Sequence, residues 1–252
     1  LFIYKYMSFE NFVAMIEKQK MYLTRVDCWD DVFEGYLITH LFNHINIQLS
    51  FCPEKIKMLK NLAFHCLYAQ SWCSDENESD AMWRIYSQNK NGVRVKFECA
   101  KIQEDIKRIA TKSIEIVNPF AVTYDKQISV NSQLTLSNIT KDGLIYALQN
   151  KRPAFCHEKE YRFVACYLPE INFLQSIIKR KDTSDYDRLL RAFTDSKGPT
   201  LEYKYSMDGL KEVLLDPRAP GHHKETFEEY CKNRDFNAQN IEFGQSKLYT
   251  LN

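Results

Sequence analysis

Apolar and polar positions along the chain alternate with a period of two in several short stretches, and helical spacing separates those stretches. "LFIYKY" predicts a strand in which Tyr4 and Tyr6 share one face and Lys5 takes the other. Ser8 is a good N-cap for a helix running to about Gln19, with Phe12, Val13 and Ile16 on one stripe. "MYLTRV" predicts a second strand, ending in "DCWDDVFEG", a turn dense in carboxylates at Asp27, Asp30, Asp31 and Glu34.

A helical stretch to about Leu62 precedes the strand "AFHCLYAQSWCS", and Ser79 caps a helix, "DAMWRIYSQN". In that helix Met82, Ile85 and Tyr86 are expected on one face, with Trp83 beside it. Asn91 and Gly92 stop it, and "VRVKFE" alternates as a half-buried strand with Val93, Val95 and Phe97 inward. "KIQEDIKRIATK" and "KDGLIYALQN" read as helices on either side of a bent strand broken at Pro119. "FCHEKEYRFV", residues 155–164, reads as one buried strand, and a charged helical stretch covers about 171–193. The tail adds strands at "TLEYKYS" and "EVLLDP" and a helix near Lys224–Lys232. The expected class is α+β, one domain over 1–252 with a helical insertion or cap at 170–200, and strands mostly outside βαβ alternation.

Composition narrows the function classes. The chain has 252 residues, and 34 Lys+Arg against 33 Asp+Glu give no global field that would steer it onto nucleic acid or an anionic membrane. Eight cysteines are scattered without CxxC pairs or metal-type spacing, which reads as small apolar residues in a reducing cytosol. No apolar run is long enough to cross a bilayer and no signal-peptide pattern opens the chain, so a cytoplasmic location and no membrane partner are expected. Glycine-rich phosphate loops are absent, and His222 and His223 lack a third ligand nearby in sequence. No metal is expected.

Candidate chemistry concentrates in three places. A strand over 155–164 puts Glu158, Glu160 and Arg162 on one face, the two glutamates ~7 Å apart by strand rise. Held close and partly desolvated, one carboxylate is pushed toward neutrality while the arginine keeps the other ionised. The competing reading is a soluble sheet edge whose Glu, Glu, Arg row pairs with itself. In "QSWCSDENESDAMWRIYSQN", Ser71 and Ser74 can orient a sugar or fix a neighbouring carboxylate, while Trp83 and Tyr86 offer flat rings; Met82 is core. In "YKYMS", Tyr4 and Tyr6 can stack on a ring, or simply pack.

In order and spacing, "YKYMSFENFVAMIEKQKMYLTR", "WDDVFEG", "SDAMWRIYSQNKNGVRVKF", "HEKEYRF" and "EVLLDPRAP" resemble an uncharacterised bacterial domain-of-unknown-function family over about residues 4–218. Asp30 and Val32 depart from that family's Asn-Asp-Pro-like turn. More distantly, the layout is similar to ADP-ribosyltransferases. That resemblance implies a split mixed or antiparallel sheet with flanking helices and a helical C-terminal extension. It also implies NAD as substrate, an unknown macromolecular acceptor, and a toxin or antiviral effector role with a neutralising or regulatory protein partner. Carried onto this chain, Glu160 is the carboxylate that stabilises an oxocarbenium-like ribose, Glu158 positions acceptor or water, Ser71 takes the middle-strand serine role, and Tyr6 (or Tyr4) the first-strand role, with Lys5 competing for it. Arg25, Ser74, Trp83, Tyr86 and Arg162 complete the expected NAD contacts. Two other readings stand beside it: a metal-dependent hydrolase or nuclease using Asp31, Glu34, Asp75, Glu158 and Glu160, and a non-catalytic binding module whose glutamates pair with Arg25, Arg84 or Arg162 in a closed cluster.

Overall fold

The computed structural model describes residues 1–29, 36–49, 53–124, 139–180 and 198–250. The carboxylates Asp30, Asp31 and Glu34, and residues 181–197 of the expected 170–200 cap, lie outside the described residues.

Among the described residues a mixed, mostly antiparallel ten-stranded sheet organises the fold. Its first strands are β1 (Phe2–Met7), β2 (Lys20–Arg25), β3 (Leu67–Cys73) and β4 (Val93–Glu98), followed by the short β5 (Ile114–Ile116) and β6 (Phe120–Ala121). Strands β7 (Thr123–Tyr124) and β8 (Asn150–Lys151) form a separate parallel pair, and β9 (Glu160–Tyr167), β10 (Thr200–Lys204), β11 (Leu210–Leu215) and β12 (Glu242–Gln245) return to the main sheet. The central pair is β3 with β9, antiparallel from Leu67↔Cys166 to Cys73↔Glu160.

The other edge of β3 is shared by two strands. β2 pairs with its beginning, at Arg25↔Tyr68 and Thr24↔Ala69, whereas β1 pairs with its end, at Tyr4↔Cys73. Between Gln70 and Trp72 neither strand takes up that edge, so the sheet forks into a wing of β2 and β10 and a wing of β1, β4, β11 and β12. Lys5 Nζ reaches into the fork and donates to the Ser71 carbonyl at 2.8 Å, satisfying a backbone acceptor that the divergence leaves without a ladder partner.

Helices cover both faces. On one, α2 (Tyr36–Leu49), α3 (Pro53–His65), α6 (Lys141–Leu148) and α7 (Leu168–Arg180) pack on Leu67, Ala69, Val164 and Cys166. On the other, α1 (Phe9–Lys18), α5 (Cys99–Lys107) and α8 (Gly221–Asn233) pack on Ile3, Leu23, Trp72, Phe97 and Phe163. The short α4 (Asp80–Tyr86) buries Met82 and Trp83 against Tyr6.

Several expectations hold. Ser8 caps α1 and Ser79 caps α4 through their hydroxyls, and Val93, Val95 and Phe97 are fully buried. Others are corrected. Residues 63–65 of "AFHCLYAQSWCS" close α3, so the strand begins at Leu67. Ile85 and Tyr86 do not join Met82 in the core, since α4 has only two turns and buries its Met82–Trp83 side. The region after residue 198 is not a helical extension: β10 extends one wing and β11 and β12 extend the other, with α8 packed behind them.

Candidate active site

"FCHEKEYRFV" is not one strand. Pro153 starts a 3-10 turn, Pro153–Glu158, because its fixed φ and missing N–H suit a first helical position. Lys159 then adopts the left-handed conformation (φ 45, ψ 49), and β9 starts at Glu160. Ser74 holds this corner, its N–H and hydroxyl both donating to the Lys159 carbonyl at 2.8 and 2.9 Å. The reversal brings Glu158 and Glu160 together from two different elements, which a period-of-two reading also did, but for another reason.

Both carboxylates are buried, and one ammonium bridges them: Lys151 Nζ lies 2.8 Å from Glu158 Oε2 and 2.5 Å from Glu160 Oε1. Glu160 Oε2 accepts from Arg162 Nε at 2.6 Å and from the Ser71 hydroxyl at 3.0 Å, and the Glu160 N–H donates to the Tyr124 hydroxyl at 2.8 Å. Arg162 is fully buried; it donates through Nη1 to the Leu148 carbonyl and lies 5.0 Å from the Trp29 ring. It supports Glu160 from behind and cannot itself reach a ligand.

The environment separates the two carboxyl groups. Burial, and then the hydrogen bond it shares with Glu160, raise Glu158 to about 7 against the pull of Lys151. At Glu160 burial opposes ionisation, but the Arg162 charge, the hydrogen bonds from Glu158 and Arg162, and Lys151 outweigh it and hold the group far below the usual carboxylate range. One site thus holds a permanent carboxylate beside a carboxyl that exchanges its proton near neutrality.

These groups face a cleft of about 650 Å³ that passes through the fork, within the size range of small-molecule sites. Lys5 and Met7 of β1 and Lys20, Met21, Tyr22 and Thr24 of β2 form its sides. Asn11, Ala14, Met15 and Lys18 of α1 close one end, and Tyr86, Lys151, Phe155, Glu158 and Glu160 line the other. Burial lowers the Lys5 ammonium to about 8, with Glu160 pulling it back up.

The structure brings Glu158, Glu160, Ser71, Lys5 and Tyr86 to one cleft. Tyr6 does not line it. Being an even position of β1, Tyr6 points at α4, where it meets Trp83 edge-on at 4.9 Å and Tyr86 at 6.5 Å. Tyr4 lies under Arg94, 3.9 Å from its guanidinium, and opens on a different hollow beside Glu212. Trp83 is fully buried with Nε1 bonded to Glu78, Arg25 is forked onto Asp27, and Ser74 only fixes the Lys159 corner. Of the proposed arginine partners, Arg162 alone meets a glutamate of the site; Arg84 pairs with Asp80.

Lys151, Tyr124 and Trp29 were not legible in sequence, since no spacing links residue 151 to 158 and 160 until the turn exists. Asp75 accepts from Asn77, and among the described residues no group of three His, Cys, Asp or Glu side chains is placed to hold a metal ion. Nor is any helix among the described residues long and apolar enough to cross a membrane.

No curated protein and no solved structure matches the chain. The resemblance to an uncharacterised family is found over a shorter stretch than 4–218: residues 82–163, which run from α4 into β9 and carry Tyr86, Lys151, Glu158, Glu160 and Arg162, match the family described as protein of unknown function (DUF2971).

Proposed function

We propose that the chain is an NAD-consuming enzyme that breaks the bond between nicotinamide and ribose and passes the ADP-ribosyl group to a macromolecule or to water. The observation that carries this reading is the Ser71–Glu160 contact at 3.0 Å at the wall of a cleft that opens through a forked sheet. A forked sheet with a serine on its central strand and a glutamate on the adjoining one is the arrangement the ADP-ribosyltransferase resemblance implies. Lys5 rather than Tyr6 takes the first-strand role in this reading.

The residue chemistry fits. As the C1′–N bond breaks, its electron pair leaves with nicotinamide and positive charge develops on the ribose. Glu160, ionised and fixed by three donors before substrate arrives, stabilises that charge without reorganising. Glu158 is close to neutrality in its protonation, so it accepts the proton of the incoming hydroxyl or water as the new C1′–O bond forms. Lys18 adds a positive charge at the α1 end of the cleft, and Tyr86 offers a ring at the rim.

Against the metal-dependent reading, Lys151 and Arg162 already occupy the glutamate oxygens that a cation would need. Against the closed binding module, the charged cluster adjoins a cleft. The test is release of nicotinamide from NAD by the purified protein. Wild type is expected to release it, and Glu160→Gln to lose ~10²-fold or more of the rate. An inert wild type, or a Glu160→Gln protein of equal rate, overturns the reading, and hydrolysis abolished by chelator and indifferent to NAD selects the metal-dependent one. Growth arrest on expression, relieved by Glu160→Gln, is the expected result for a toxin or effector.

A further inference from the structure

Next to Ser71 in β3, Gln70 turns to the opposite side of the fork, where it lines the cleft and is 6% exposed. Its Oε1 accepts from Trp72 Nε1 at 3.0 Å and from the Tyr203 hydroxyl at 2.7 Å. An indole N–H can only donate, so the oxygen end of the carboxamide is the one turned to Trp72, and the NH2 end is left for the cleft. That NH2 makes no hydrogen bond among the described residues, and it is not among the polar atoms sealed from solvent. Held by its oxygen end in a residue only 6% exposed, that NH2 is a fixed donor that the cleft's solvent or a ligand must receive.

The space before it suits a flat ring. Met15 and Met21 supply soft, polarisable walls, and Ala14 leaves room between helix and strand. The ring would lie on the α1 side of the fork, and Ser71, one residue further along β3, with the Glu160 it contacts at 3.0 Å, would face the sugar.

We propose that Gln70 is a specificity-determining residue of this cleft, donating its NH2 to a carbonyl oxygen on the ligand's flat nitrogenous ring. The assignment rests on the NAD reading, in which the acceptor is the carboxamide oxygen of the nicotinamide ring. Gln70→Glu is the discriminating change: it keeps an oxygen for Trp72 and Tyr203 but replaces the donor by an acceptor.

The test compares calorimetric binding of NAD with that of the analogue whose ring carries 3-amino in place of the carboxamide. Wild type is expected to prefer NAD by ~10-fold or more, because the analogue offers that fixed donor no carbonyl oxygen to accept from it. Gln70→Glu, melting as wild type does, is expected to reverse that order. Wild type without a preference overturns the proposal and needs no variant. A Gln70→Glu protein that binds both ligands as wild type does, or weakens for both by the same factor, reduces Gln70 to a structural role. In each of these failures nicotinamide release persists, whereas a wild type that neither binds NAD nor releases nicotinamide overturns the NAD reading and this assignment together.

Discussion

Lys151 Nζ stands 2.5 Å from Glu160 Oε1 and is shared with Glu158, so a single buried cation holds two carboxyl groups at the wall of the cleft. Lys151 and Glu160 are 10% and 7% exposed at the side chain, so water from the cleft replaces the lost partner only in part. Lys151→Met is therefore expected to cost about 3 kcal/mol, the range for breaking a buried pair by removing one member. Adding Glu158→Gln in the same chain removes one of the two orphaned acids and is expected to return part of that loss. Denaturant melts of the two single variants and the double variant measure the coupling; strict additivity would show that the ammonium does not bridge the pair.

Much of the scaffold was legible because it rests on local signals. The Ser8 and Ser79 caps and the alternation of "VRVKFE" need only neighbouring residues, and the structure reproduces them. The opposition of Lys5 to Tyr4 and Tyr6 was also visible, and it decides which of them enters the cleft. The choice between them was not visible, since it depends on where β1 joins β3 and where β2 leaves it. The same holds for Lys151 and Gln70. A lysine in a two-residue strand, and a glutamine in a buried strand, acquire meaning only when β9, the turn before it and Tyr203 of a distant strand close around them. Glu158 shows the opposite case, correct in its neighbour and wrong in its element, because a left-handed residue between the glutamates cannot be read from a period of two.

Lys159 occupies a conformation that costs a side-chain-bearing residue about 1–2 kcal/mol. Lys159→Gly is expected to raise stability by about 0.5–1 kcal/mol, the relief of that strain less the larger chain entropy of glycine in the unfolded state. Lys159→Val, stiff at its β-carbon, is expected to lower it. The sign discriminates between two geometries: were the residue extended inside a strand, glycine would weaken the protein and valine would be welcome. Chemical denaturation of the two variants, with nicotinamide release as a control for the site, reads the result.

The two glutamates should leave opposite signatures against pH. Glu158 has a folded pKa of about 7 against an ordinary 4.5, so folding favours its neutral form. Its contribution to stability is fully present below the ordinary value and is lost as pH rises toward about 7. Glu160 is depressed, so its contribution is present above the ordinary carboxylate range and is lost as pH falls through the acid end. The melting temperature of wild type is therefore expected to carry a falling term between the ordinary carboxylate value and neutrality that Glu158→Gln removes, and an acid-side loss that Glu160→Gln removes. Catalysis adds a constraint that stability does not, because a base must be ionised to accept a proton. Turnover of NAD is expected to rise as pH passes through about 7, the value burial sets for Glu158, and then to level. Glu158→Gln should abolish that rise and lower the plateau by ~10²-fold or more. A rate that instead falls through the same interval would make the protonated carboxyl the working form, a donor to the ribose or the leaving ring, and would exchange the role assigned to Glu158 while leaving that of Glu160 in place.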